Sequence, residues 1–279
     1  MRHSEAYWND ALPHLPQQPS IAKKIHQIFL RGALPPRLAE NVAEMKALNG
    51  DHAHRLYDLA AGEDLIERLY GPEVLRQFQR IDPAYGAARA DLLRYLIVYA
   101  EGGAYIDVKS YLDRPLRTAL RDDDRMILSY WDNEPGGEFP GFGKHAELGP
   151  GFGELQQWHV IASAGHPLLR AVLCKVLANI DGYRPWRVGV GRNGVLRTTG
   201  PIAYTRAIAP LLARYPHRLL RSPAEIGLHY SIADTYDHRS VFPTHYSTLT
   251  TPVVTLPMRA RPLAGLYSLA VRLRARHRG

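Results

Sequence analysis

Asp91, Arg94, Asp107 and Lys109 are the residues of this 279-residue chain whose types and spacing point to chemistry. Asp91 and Arg94 stand three apart in Ala88-Arg89-Ala90-Asp91-Leu92-Leu93-Arg94-Tyr95, a stretch that reads as a helix, so both project from one face. Glu101-Gly102-Gly103 then reads as a tight turn, and Ala104 to Ser110 as a strand. From Asp91 to the helix end the chain travels about 15 Å at about 1.5 Å per residue, and Ala104 to Asp107 brings it back by roughly 13 Å. Asp107 therefore returns beside Asp91 and Arg94. On geometry alone the three charges make either a structural ion-pair cluster or a binding site.

The elements that hold these residues carry more than charge. Asp91-Leu92-Leu93-Arg94-Tyr95 followed by Gly102-Gly103-Ala104-Tyr105-Ile106-Asp107-Val108-Lys109 resembles the D-x-x-R-Y and G-G-x-Y-x-D-x-D pattern of the retaining glycosyltransferases with a DxD-containing sugar-binding region. That group is glycosyltransferase family 32 in type; it includes initiating mannosyltransferases and bacterial capsular polysaccharide enzymes, with the clostridial glucosylating toxins more distant. Further similarities follow in order along residues 21 to 250. Lys24 to Leu30 resembles the family's first strand, Trp158 to Ser163 with Gly165-His166-Pro167 the segment after the central motif, Thr199-Gly200-Pro201 its T-G-P signature, and Thr244-His245-Tyr246-Ser247 its C-terminal histidine loop.

The resemblance implies an α/β fold of GT-A type, with a mixed, mostly parallel central sheet flanked by helices. It implies transfer of a hexose from a UDP- or GDP-linked sugar to a saccharide or lipid-linked acceptor, with retention of configuration, in bacterial surface polysaccharide or glycolipid synthesis. Carried onto this sequence, it places Ile28 and Phe29 at the nucleotide base, Asp91 and Arg94 on donor sugar or ribose, and Asp107 on ribose, sugar or metal. Lys109 then contacts the diphosphate, with Gly103 also at the donor; Tyr57, read from its place at the end of an expected strand, either reaches the nucleotide of the donor or has a strand-end structural role. Asp107, Lys109 and Arg94 form the expected catalytic set, and no general base is identifiable.

Position 109 departs from the family pattern. In a DxD motif the strand period of two puts both carboxylates on one face, where they hold a divalent cation against the donor's diphosphate. A charged lysine is no metal ligand, but its ammonium can contact phosphate directly. Two arrangements stay open. In one, Lys109 with Arg94 or another basic residue stabilises the departing diphosphate without metal. In the other, Mn²⁺ or Mg²⁺ is held by Asp107, diphosphate oxygens and His245, and the intact remainder of the motif favours this arrangement. A relative that binds nucleotide sugar without turnover, or a module that docks on a membrane surface, is the competing class.

Strands are expected at Ile25 to Leu30, His54 to Tyr57, Ala104 to Ser110, Arg125 to Tyr130 and Trp158 to Ala162. Helices are expected at Arg37 to Leu48, 61 to 70, Pro167 to Asn179 and within Gly200 to Tyr215. This alternation predicts a parallel-rich sheet covered on both faces, with ligands at the carboxyl ends of its strands, where Asp107 falls. Pro135 to Gly153, with seven glycines and three prolines, is expected to be a long surface loop, either a mobile connection or a cover for the acceptor side. Its Gly141-Phe142-Gly143-Lys144 lacks the spacing of a phosphate loop.

Composition bounds the remaining classes. The length suits one catalytic domain, placed at 21 to 258 between an N-terminal extension (1 to 20) and a basic tail (259 to 279). The lone Cys174 excludes an internal disulfide framework and suits a reduced, cytoplasmic setting. Met1 to Gln18 lacks the apolar core of a signal peptide, and scattered histidines without a cysteine partner argue against structural zinc. The net charge of +8 arises mainly after Asp237, where no acidic residue remains and Arg239, Arg259, Arg261, Arg272, Arg274, Arg276 and Arg278 follow. That distribution does not suit a nucleic-acid groove. Leu263, Leu266, Tyr267, Ala270 and Leu273 recur at helical spacing, so the tail is either a docked terminal helix or a basic amphipathic segment for an anionic membrane surface, making the protein peripheral at the inner face.

Overall fold

The computed structural model describes residues 3–151, 153–232 and 246–276, the side chains of 275 and 276 excepted. In chain order the elements are α1 (Glu5–Ala11), β1 (Lys24–Ile28), α2 (Pro36–Leu48), β2 (Ala53–Tyr57), α3 (Leu59–Arg80), α4 (Gly86–Glu101), β3 (Gly103–Ile106), β4 (Tyr111–Leu112), β5 (Met126–Ser129) and β6 (His159–Ala162). They continue with α5 (Pro167–Gly182), α6 (Pro185–Val188), α7 (Gly191–Thr198), α8 (Pro201–Ile208), β7 (Arg218–Leu220), β8 (Leu228–His229) and α9 (Arg261–Arg276).

Six strands form one sheet in the order β2-β1-β3-β6-β5-β7. The β1–β2, β1–β3 and β5–β7 pairs are parallel, while β6 runs antiparallel to both its neighbours. The sheet is therefore mixed and mostly parallel, as expected. β4 and β8 make a separate antiparallel pair.

The strand period of two divides β3 between two cores. Ala104 and Ile106 join Ile25, Ile127 and Ile161 on one face, while Tyr105 joins Val160, Ala162 and α4 on the other. Leu92, Leu93, Tyr95, Leu96, Ile97, Val98 and Tyr99 of α4 are all buried, which makes it the central helix of the larger core. Trp8 of α1 is wholly buried in that same core. Helix α3 continues well beyond the expected 61 to 70, because Gly71 (φ +78°) lets the axis break and Pro72 starts the second half.

The turn from α4 to β3 needs both of its glycines. Gly102 has φ +64°, and a Cβ there would lie 2.7 Å from the Ala164 nitrogen. Gly103 has φ +99°, and a Cβ would lie 2.6 Å from the Lys24 carbonyl oxygen, so a side chain would push β3 off β1. Strand β3 is shorter than expected: it ends at Ile106, and Asp107 to Ser110 forms a turn closed by the Ser110 N–H on the Asp107 carbonyl at 2.9 Å. Asn41 of α2 fixes that turn by donating to the carbonyls of Val108 (2.8 Å) and Ser110 (2.9 Å).

Candidate active site

Helix α4 and strand β3 meet at a buried charge network. Arg94 is only 5% exposed, and its guanidinium lies 3.2 Å from Asp91 and 3.4 Å from Asp107. It also donates to the Gln157 carbonyl at 2.6 Å and stacks over the Tyr105 ring at 4.6 Å. Asp91 accepts from the Gln157 side chain at 3.0 Å and the Thr199 hydroxyl at 2.8 Å. Tyr105 donates its hydroxyl proton to Asp107 Oδ1 at 2.5 Å.

Burial sets the protonation of this network. It raises the Asp91 carboxyl, opposed by Arg94 and by the hydrogen bonds from Thr199 and Gln157. Burial works against the charge of Arg94, but Tyr105, Asp107 and Asp91 outweigh it and hold the guanidinium above its ordinary value. Tyr105 is pushed well up, first by burial and then by Asp107, so it stays a donor.

The network forms one wall of a cavity of about 360 Å³ at the carboxyl ends of β1 and β3. Ile28, Phe29, Asp91, Arg94, Asp107 and Lys109 all line it, so six of the sequence-predicted positions come together. Asp107 and Lys109 share the cavity through the turn after β3, not through the two-residue period of a strand. Lys109 lies 3.8 Å above the Tyr230 ring, and among the described residues no carboxylate pairs with it.

Two predicted positions fall elsewhere. Tyr57 is wholly buried in the core, its hydroxyl 3.3 Å from His26 Nδ1, and it touches the site only through its carbonyl, which accepts the Phe29 N–H. Gly103 lies at the start of β3 against Lys24, where it serves the turn and not the cavity. His245 lies outside the described residues.

Of the two protein ligands expected for a cation, Asp107 lines the cavity and His245 lies outside the described residues. Among the described residues no three His, Cys, Asp or Glu side chains are grouped to hold a metal. Asp107 is already engaged by Tyr105 and Arg94, and the neighbouring Lys109 is itself a cation in the same cavity.

Much of the rest of the lining carried no mark in the sequence. Arg31 and Arg192 add two cations to the cavity. Trp131, Phe142, Trp158 and Tyr230 supply aromatic surface, and Glu154 accepts from the Trp131 indole at 2.9 Å. Phe142 belongs to the glycine-rich stretch, whose described residues are irregular as expected but for a short 3-10 turn at Ala146–Leu148. Arg197 holds that stretch through Glu147 at 3.0 Å. Glycine enrichment signalled a loop there, but nothing local signalled which of its side chains would face the site.

No family model matches the chain. It is 26% identical over 206 residues to the initiation-specific alpha-1,6-mannosyltransferase of Candida albicans, a match covering 68% of this chain and 51% of that protein. The chain thus spans about half the length of that relative. The UDP-bound glycosyltransferase domain from the YGT toxin superposes with a TM-score of 0.52, at 8% identity, over 78% of this chain and 82% of that one. Its ligand-free form gives 0.53, at 7% identity, over 80% and 84%. The fold is that of a glycosyltransferase domain. In this glycosyltransferase fold the Asp91–Arg94–Asp107 network stands at the strand ends where α/β sheets bind ligands.

Proposed function

We propose that this protein transfers a hexose from a nucleoside diphosphate sugar to a saccharide or lipid-linked acceptor. The observation that carries the proposal is the convergence of Asp107, Arg94, Asp91 and Lys109 on one cavity at the carboxyl ends of β1 and β3. The sequence similarity to a mannosyltransferase supports the reaction class, and the UDP-bound neighbour of like fold supports a nucleotide donor.

Ile28 and Phe29 offer the base an apolar edge, and Lys109 is the cation for the diphosphate. Arg31 and Arg192 line the same cavity and add positive charge. As the sugar C1–O bond breaks, its electron pair passes to the diphosphate oxygen, where these cations stabilise it. The acceptor hydroxyl oxygen forms the new bond to C1, and its proton passes to the leaving phosphate. Asp107, fixed by Tyr105 and Arg94, faces the positive charge that develops on the sugar. Retention of configuration and a bacterial surface glycan as product rest on the sequence resemblance alone.

Thermal denaturation with UDP or GDP, each with Mn²⁺ or with chelator, tests the reading, because a ligand of the native state raises its stability. Stabilisation by one nucleotide that survives chelation supports Lys109 as the diphosphate's cation. Stabilisation only with Mn²⁺ supports the arrangement in which a cation is held at Asp107. No response to either nucleotide argues against the transferase.

A further inference from the structure

Helix α9 packs on the domain by one face and leaves an apolar face uncovered. Ala264 (3% exposed) and Ser268 (7%) pack against the domain, where α6 is the neighbouring helix. At 100° per residue, Leu263, Leu266, Leu269 and Leu273 fall on the far side. They are 51%, 67%, 53% and 48% exposed, and Met258 just ahead of the helix is 79% exposed. A helix held by one face would ordinarily turn charge outward on the other.

Charge borders this stripe without interrupting it. Arg272 falls on one side of the leucines and Arg274 on the other, both exposed, with Arg259 and Arg261 exposed at the start of the helix. Asp and Glu are absent from residues 246 to 276, and α6 adds the exposed Arg187 to the neighbouring surface. The helix is long enough to lie along an interface, and no helix among the described residues is long and apolar enough to cross a membrane. An apolar stripe with arginine-only borders matches a surface with an apolar interior and anionic headgroups.

We propose that α9 is a lipid-docking surface that holds the protein flat on an anionic bilayer, with the four leucines at the headgroup boundary and the arginines on lipid phosphates. The proposal is independent of the transferase reading, since it uses no residue of the cavity.

Co-sedimentation of the full chain with phosphatidylglycerol-containing vesicles, against pure phosphatidylcholine vesicles, tests it. Binding is expected only with the anionic vesicles and weakens with salt. Leu266→Asp with Leu269→Asp, both exposed in the fold, is expected to lower partitioning by at least about tenfold. Arg259→Glu with Arg274→Glu is expected to abolish the preference for anionic lipid. Both variants should keep the wild-type melting temperature and nucleotide response. Failure of the wild type to bind anionic vesicles overturns the proposal. So does dimerisation of the wild type that the leucine variant abolishes, which would make the stripe a protein interface.

Discussion

Arg94 Nη1 and Asp107 Oδ1 stand 3.4 Å apart, although the rest of α4, the Gly102-Gly103 turn and β3 separate the two residues along the chain. The same guanidinium holds Asp91 at 3.2 Å, so one buried cation sets the positions of two carboxylates at the cavity wall. Asp107→Asn keeps the shape of this arrangement and removes one charge. Its expected effect is a loss of transfer of at least about 100-fold, with a melting temperature close to wild type. Arg94→Leu instead leaves both carboxylates without their cation and is expected to destabilise the fold by about 3–5 kcal/mol. Donor consumption and thermal melts of the two variants separate chemistry from folding.

Lys109 is the residue on which the metal question turns. A charge-assisted contact to diphosphate contributes about 1.5–3 kcal/mol, so Lys109→Ala is expected to weaken nucleotide binding roughly 10- to 100-fold by calorimetry. Lys109→Asp removes the ammonium and supplies a second carboxylate beside Asp107. Binding by that variant is expected to become dependent on Mn²⁺. Unchanged affinity in Lys109→Ala would remove Lys109 from the diphosphate.

Thr199 reaches Asp91 across the site, and its hydroxyl is one of the hydrogen bonds that offset the burial of that carboxylate. Thr199→Val keeps the volume and takes the donor away. The expected cost is about 1–3 kcal/mol of stability, read by denaturant unfolding, with recovery in Thr199→Ser.

Acid should destabilise the protein earlier than its carboxylates alone would dictate. Burial lowers His26 and His166 to about 4 and His159 to about 3, from an ordinary 6.5. Below about 6.5 the unfolded chain binds protons that the folded chain refuses, so stability rises with pH through this window and falls as pH drops. The histidine contribution is complete above about 6.5 and is lost as pH falls towards 4 and then 3. His166 shows the reason in its geometry: Nδ1 accepts the Leu168 N–H at 3.2 Å as the cap of α5, and Nε2 lies 3.2 Å from the Pro216 carbonyl. Asparagine is also a good helix cap. His166→Asn is therefore expected to flatten the fall in melting temperature between pH 6.5 and 4, at a cost near pH 7 of about 1 kcal/mol for the lost bond to Pro216.

The central motif and its support are written in local sequence. The three-residue spacing of Asp91 and Arg94, the paired glycines and the return of β3 are local geometry, so the meeting of Arg94 with Asp107 was legible before any coordinates. So were the strands β1, β3, β5 and β6 and the helices between them, because each carries its own apolar pattern, while β2, with Tyr57 its one buried residue, was placed by its position between two helical stretches. α7 and the short strands β4, β7 and β8 were not legible, since few residues of any one of them carry a period and their pairing partners lie far along the chain.

The rest of the cavity comes from contacts between segments far apart in the chain. Nothing in Arg31, Trp131, Phe142 or Arg192 marks it as a neighbour of Asp107; only the packing of distant loops around the carboxyl end of β3 makes them one cavity. The turn at Asp107 to Ser110, held by Asn41 from α2, replaced the expected strand through contacts that no window of adjacent residues contains. Tyr57 shows the converse. Its place at the end of β2 suggested the donor site, but its side chain is drawn into the core by burial and by His26, while only its backbone reaches Phe29. The helical period of α9 was likewise present in the sequence. Which of its faces the domain would cover, and which four leucines it would leave exposed, depended on packing against elements elsewhere in the chain.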